Sequence, residues 1–232
     1  MTSASYISRR SEIETYFDRT AADAWKRLTS DAPVGRIRAT VRAGRNSMRD
    51  TLLSWLPSDM RGLRLLDAGC GTGALAVEAA SRGAQVLAID VSPTLIALAQ
   101  ERSQETGLQN VSFAVGDMLS PDLGTFDHVV AMDSLIHYEG VDIANALAAL
   151  AARTKKSIVF TVAPHTTMLA AMHAAGKLFP RGNRSPAIVP IAERKLESLI
   201  AAQPGLSGWR VARRQLVSSG FYKSLAMELT RA

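Results

Sequence analysis

Leu65-Leu66-Asp67-Ala68-Gly69-Cys70-Gly71-Thr72-Gly73 is the stretch that decides the fold. A short apolar run ends in an acid, a turn with glycine at every second position follows, and a helical pattern opens directly after it. Glycine lets the backbone bend tightly and come close to a ligand, because no Cβ stands in the way. Strand, glycine-rich turn and helix in that order begin a nucleotide-binding βαβ unit. The sequence beyond it continues in kind. The apolar run at 63–66 is followed by runs at 85–89, 111–115, 128–132 and 157–162, with helical periodicity over 74–81, 93–105 and 142–152. That alternation predicts a parallel sheet covered by helices on both faces. Two last runs, 209–217 and 222–230, lie a few residues apart around Ser218-Ser219-Gly220 and predict an antiparallel hairpin.

Two helical patterns precede the first strand. Residues 11–29 carry Ile13, Tyr16, Phe17, Ala21, Ala24, Trp25 and Leu28 at spacings of three and four, and Ser11 with Glu14 reads as a capping box. Asp31, Pro33 and Gly35 break that pattern. A second one has Ile37, Val41, Met48, Leu52 and Leu56 on its apolar face and Arg36, Arg38, Arg42, Arg45 and Arg49 on the polar one, with Pro57 as its end. Residues 1–57 therefore read as a helical arm, and 58–232 as the main domain. Within it, 164–203 exceeds a simple crossover. Met168, Leu169, Met172, Leu178 and Phe179 make a Met-rich helical stretch, either an ordinary crossover helix or a lid for a bulky apolar ligand.

Composition narrows the classes of function. With 47% hydrophobic and 21% charged residues the chain is ordinary globular material. A net charge of +6 favours anionic partners (nucleic acid, an acidic membrane surface or an anionic small molecule) or is simply a solvated basic surface. Cys70 is the single cysteine, so no internal disulfide forms, and no base stands beside it in sequence to make it a catalytic thiol. The first ten residues lack the apolar centre of a secretory signal, and the longest apolar stretch, 143–152, is interrupted by Asn145. The expectation is a soluble, intracellular protein.

Asp90 stands at the end of the second strand, about 20 residues beyond the first glycine, where an acid accepts both ribose hydroxyls of a nucleoside. A dinucleotide would bring pyrophosphate to the turn, usually with Gly-x-Gly-x-x-Gly spacing. Here the third glycine comes one residue early and Asp67 points an acid at the turn, which suits a cationic group better. Gly116-Asp117-Met118 follows the third strand, offering an acceptor to an adenine amino group and a side chain to pack on the ring. Each acid alone also reads as a helix cap. Jointly they resemble the class I S-adenosylmethionine (SAM)-dependent methyltransferases. That resemblance implies a Rossmann-like α/β fold, with a seven-stranded mostly parallel sheet, an antiparallel C-terminal hairpin and an N-terminal helical extension. It implies SAM as co-substrate, held by Asp67, Gly69, Gly71, Gly73, Asp90, Val91, Asp117 and Met118.

After the fourth strand comes Ala131-Met132-Asp133-Ser134-Leu135-Ile136-His137-Tyr138. The Asn/Asp-Pro-Pro-aromatic motif of DNA and protein-glutamine N-methyltransferases is absent there, and no basic–aromatic interleaving marks a nucleic-acid surface. A His at this place is similar to small-molecule O-methyltransferases, where it is either a general base on a phenol or a structural cap. Elements outside the core resemble the magnesium-protoporphyrin IX O-methyltransferase family of chlorophyll and bacteriochlorophyll biosynthesis. They are Tyr16-Phe17 with Thr20, Trp25-Lys26-Arg27, Val41-Arg42 with Gly44, Trp55-Leu56, Asp90-Val91-Ser92, His137-Tyr138, Ala163-Pro164, Leu178-Phe179-Pro180, Trp209 and Phe221-Tyr222. The sequence departs from that family at Arg45, where members often have His. The resemblance implies methylation of one propionate of Mg-protoporphyrin IX and no protein-bound metal. Tyr16 and His137 would position the reacting carboxylate, with His137 alternatively ligating the substrate's magnesium. Arg42 would serve cofactor closure, recruitment or the other propionate. The expected partners are Mg-protoporphyrin IX, a magnesium chelatase subunit and a peripheral contact on the cytoplasmic face of a membrane, with no nucleic acid. Two other readings stay open: a quinone- or phenol-directed O-methyltransferase, and a SAM-binding regulatory or nucleic-acid-binding protein without catalysis.

Overall fold

The computed structural model describes residues 3–19, 29, 35–165 and 187–232. Its centre is a seven-stranded sheet in the order β3-β2-β1-β4-β5-β7-β6. The strands are β1 (Arg64–Ala68), β2 (Gln85–Asp90), β3 (Val111–Val115), β4 (Phe126–Ala131), β5 (Thr154–Val162), β6 (Trp209–Ser219) and β7 (Tyr222–Arg231). The first five are parallel, β7 runs antiparallel to β5, and β6 pairs antiparallel with β7. The expected Rossmann-like sheet and terminal hairpin are therefore present.

Six helices flank the strands among the described residues: α1 (Ala4–Arg19), α2 (Arg36–Ser54), α3 (Ala74–Ser81), α4 (Pro93–Gln104), α5 (Gly140–Ala151) and α6 (Glu193–Ala202). Side chains alternate across a strand, so Leu65 and Leu66 enter opposite layers. Leu66, Ala68 and Ile89 pack with Tyr6 and Ile13 of α1 and with the apolar faces of α5 and α6. Leu65, Val86 and Val130 pack with Met48, Leu52 and Leu53 of α2 and with Leu75 of α3. Burial on both faces is why the central strands read as unbroken apolar runs.

Two readings of the helices need correction. The first helix starts at Ala4, so Ser11 and Glu14 lie inside it and form no capping box. Ser3 caps it instead, its Oγ accepting from the Tyr6 amide at 3.1 Å. The start moves because Tyr6 is itself a core residue, 3% exposed, its ring stacked on Tyr138 at 4.7 Å between centroids. The second helix stops at Ser54, ahead of Pro57, where the Trp55 and Leu56 amides donate back to the Leu52 and Leu53 carbonyls. The Met-rich stretch at 168–179 and residues 20–28 of the first pattern lie outside the described residues. α6, late in the 164–203 segment, buries Leu196 and Ile200 one turn apart. On the antiparallel flank, Arg213 covers the Trp55 ring and Arg231 the Trp209 ring, at 5.5 and 5.2 Å from the centroids.

Candidate active site

The carboxyl ends of β1, β2, β3 and β4 open into one pocket, where ligands bind in open α/β sheets. Its floor is the glycine turn. Gly69, Gly71 and Gly73 take φ values of 83°, 54° and 79°, left-handed conformations that a side chain rarely adopts. The turn is pinned to β2: the Gly69 and Cys70 amides donate to the Ile89 carbonyl at 2.8 and 3.0 Å. The Asp90 carboxylate accepts from the Gly71 amide at 2.8 Å and from the Ser92 amide at 3.0 Å. Asp90 thus shapes the loop while lining the pocket, and burial pushes its pKa up.

Asp67 supplies the site's electrostatic feature. It is 1% exposed, and its Oδ2 is a buried oxygen with no hydrogen-bond partner among the described residues. Burial, reinforced by the charge of Asp90, pushes its pKa up to about 7, against the opposing pull of the Ala76 amide. An unpartnered buried acceptor is costly, and a cationic donor arriving in the pocket removes that cost. This is the arrangement expected around the ammonium of a methionyl group, so the residues present fit SAM.

The pocket brings together Asp67, Gly69, Gly71, Asp90, Val91, Met118, Arg42 and His137 of the residues expected there. Three others stand elsewhere. Gly73 caps α3 and faces outward from the lining, where a Cβ would meet Phe113 of β3 at 2.7 Å, so its glycine serves packing. Asp117 is taken by α1: Tyr6 Oη donates to it at 2.8 Å, Arg10 at 2.8 Å and the Leu119 amide at 2.9 Å. Tyr16 is not among the lining residues, and its ring meets Phe17 edge-on at 5.1 Å. Helical spacing explains this. Tyr6, Arg10, Ile13 and Phe17 share the inward stripe of α1, and Tyr16 falls on its flank. Tyr16 thus has no place in the described lining, where Tyr6 and Phe17 of the same helix stand.

His137 lies in a short 3-10 turn after β4, 6% exposed, with Phe17 edge-on at 6.5 Å between centroids. Its Nδ1 stands 3.3 Å from the Ala187 carbonyl, which can only accept, so Nδ1 carries the proton. In the neutral ring Nε2 is then an acceptor. On the opposite wall, Arg42, Arg45, Asn46 and Arg49 line the pocket from one stripe of α2. Arg45 donates to Asp133 at 2.6 Å. Sequence reasoning missed Tyr6, Arg10 and Asp133. Tyr6 and Arg10 precede the pattern read as the first helix, and nothing in sequence marks Asp133 as left-handed.

The comparisons agree with this geometry. Residues 131–231 match the family described as "Magnesium-protoporphyrin IX methyltransferase C-terminus", and residues 65–157 match a methyltransferase domain family. The magnesium-protoporphyrin O-methyltransferase of Rhodobacter capsulatus is 50% identical over 224 residues, covering 96% of this chain and 97% of that one. Its counterpart from Synechocystis is 29% identical over the full length of both. The crystal structure of magnesium protoporphyrin IX methyltransferase from Synechocystis PCC 6803 with bound SAH has a TM-score of 0.83 at 28% identity, covering 96% of this chain and 99% of that one. A half-identical relative along nearly the whole length, with the same sheet beneath the same pocket, places this chain in the magnesium-protoporphyrin O-methyltransferase family.

Proposed function

We infer that this protein is a SAM-dependent O-methyltransferase that esterifies one propionate of Mg-protoporphyrin IX, giving the monomethyl ester of (bacterio)chlorophyll biosynthesis. The observation that carries the reading is the half-identical relative along 96% of the chain. The unpartnered Oδ2 of the buried Asp67 in the pocket supports the co-substrate.

SAM supplies a methyl group on a sulfonium. The protein's residues hold the partners in line and keep water out. A propionate with a reference pKa of about 4–5 is ionised at neutral pH, so no base is needed to create the nucleophile. A positive sulfonium and a negative carboxylate become a neutral thioether and ester, a step favoured where water is excluded. Alignment of oxygen, methyl and sulfur contributes on the order of 7–11 kcal/mol in well-oriented systems. Tyr6, Tyr138, Phe17 and Met118 form the apolar part of that enclosure. Asp67 meets the cofactor's ammonium, Asp90 its ribose, and Met118 packs on the adenine. His137 is the polar group at the tip of β4 where the acceptor carboxylate arrives.

Residues 1–57 act in this reading as an arm over the site, whereas most of the 164–203 segment lies outside the described residues. α1 supports the arm: it reaches the pocket's far side through Asp117, and Ser3 and Ser5 donate to Asp142 at the start of α5. The protein works in the cytoplasm, at the cytoplasmic face of a membrane, receiving its poorly soluble substrate from a magnesium chelatase subunit. The net charge of +6 supports an anionic docking surface. No helix among the described residues is long and apolar enough to cross a membrane.

The test is a difference-absorbance titration with Mg-protoporphyrin IX, followed by SAM and product analysis. A perturbed Soret band and a SAM-dependent monomethyl ester are expected. Binding of SAM with no porphyrin signal would move the acceptor to a phenol or quinone.

A further inference from the structure

Asp133, at the tip of β4, is the one non-glycine residue with positive φ among those described, at 54°. Such a conformation persists only where the surroundings hold it, and here they do. The Asp133 amide donates to Thr161 Oγ1 at 2.8 Å. Thr161 and Tyr222 donate to Oδ1 at 3.2 and 3.0 Å, and Arg45 Nη1 donates to Oδ2 at 2.6 Å. The carboxylate is 7% exposed, and a buried charge of this kind is retained only when paired. Its partner is more open, with the Arg45 side chain 21% exposed. Both residues line the pocket.

The sheet order locates this pair within the chemistry. β4 lies on one side of β1, whereas β2 and β3, which carry Asp90 and lead to Met118, lie on the other. The pair is therefore on the acceptor side of the cofactor determinants, at the head of the turn that holds His137. A full positive charge on the reacting oxygen would weaken it as a nucleophile. The substrate of the proposed reaction carries a second carboxylate that has no such requirement. A guanidinium presents five donors in a fixed fork, so it can serve Asp133 and a ligand carboxylate together.

We propose that Asp133 is a positioning residue which, from its left-handed turn, aims Arg45 at the substrate carboxylate that is not methylated. The inference rests on the porphyrin dicarboxylate reading of the site. Asp133 fixes where the cation sits, and Arg45 makes the contact. Together they orient the macrocycle so that the other carboxylate faces the methyl group.

The experiment compares wild type with Asp133→Asn, Arg45→Gln and Arg45→Lys. It measures kcat, both KM values, and the binding of two product-side porphyrins. The Mg-protoporphyrin monomethyl ester keeps the unmethylated carboxylate, and the dimethyl ester has none. Wild type should prefer the monoester. Arg45→Gln should lose that preference and raise the porphyrin KM by roughly tenfold to a hundredfold, as for one hydrogen bond to a charged group. Arg45→Lys should keep part of it, and Asp133→Asn should lose most of it, with the KM for SAM steady throughout. A monoester preference that survives in Arg45→Gln overturns the proposal, as does a rise in the KM for SAM alone. If Asp133→Asn does not fold, as thermal melting will tell, the two Arg45 variants decide. A wild type that fails to methylate Mg-protoporphyrin IX defeats the functional reading itself. Turnover by wild type with unchanged Arg45 variants defeats only this inference.

Discussion

Asp67 is the carboxylate in the pocket whose titration lies near neutral pH. Its raised pKa means that the empty site is partly protonated near pH 7. A cationic ligand favours the charged form, so binding should expel a proton. Affinity for SAM should then rise with pH through about 7 and level off above it. Calorimetry in two buffers of different ionisation heat will report that proton, and buffer-independent heats would contradict the account. Asp67→Asn should bind SAM roughly tenfold to a hundredfold more weakly, the equivalent of about 1.5–3 kcal/mol. His137 makes a second residue-scale prediction. It is buried in the pocket wall beside Phe17, so His137→Ala should raise the porphyrin KM by roughly tenfold, as for one lost polar contact, with the KM for SAM steady. Unchanged porphyrin kinetics in that variant would contradict its place on the acceptor side.

At the scale of elements, α2 couples the hairpin to the arginine wall. A Cβ at Gly44 would stand 2.6 Å from the Tyr222 ring, so the glycine lets the helix lie directly on β7. Gly44→Ala must push α2 away, carrying Arg42 and Arg45 out of register with the pocket. Overpacking of this kind typically costs about 1–3 kcal/mol. The variant should melt earlier and show a raised KM, and an unchanged melting curve would mean that the interface yields freely. Elements were the most legible part of the sequence. The 74–81 helix, the 111–115 strand and the hairpin are read within a residue or two, because burial on one or both faces imposes the periodicity that sequence displays. α1 was misread at its start for a physical reason. Its anchors are Ser3, Ser5, Tyr6 and Arg10, bonded to Asp142 and Asp117 more than a hundred residues away. No local pattern announces such pairings. The same holds for Asp117, whose oxygens accept from Tyr6 and Arg10 of α1 as well as from the Leu119 amide, and for Tyr16, which stands on the flank of a helix phased at Tyr6.

Across the whole molecule, cofactor binding and folding are linked through the buried acid. The Asp67 pKa lies above its unfolded value of about 3.9, so this group burdens the empty fold as pH rises from 4 towards 7 and fully above that. A bound cation offsets that burden. SAH at about 100 times its Kd stabilises by about 2.7 kcal/mol. In a protein of 232 residues that shifts the melting midpoint by roughly 5–11 °C. The shift should be smaller at pH 5.5 than at pH 8, and scanning calorimetry at both values measures it. A shift independent of pH would show that Asp67 does not face the cation.

The guanidinium-capped indoles of the antiparallel flank bear on how such experiments are read. Trp55 and Trp209 lie under Arg213 and Arg231 on the hairpin side, and neither lines the pocket. With Trp25→Phe, the remaining emission comes from those two rings alone. Fluorescence from that protein becomes a gauge of the hairpin's integrity, blind to direct contact with ligand. Quenching by an added porphyrin would then measure proximity through energy transfer, while a spectral shift would signal that the flank itself had come apart.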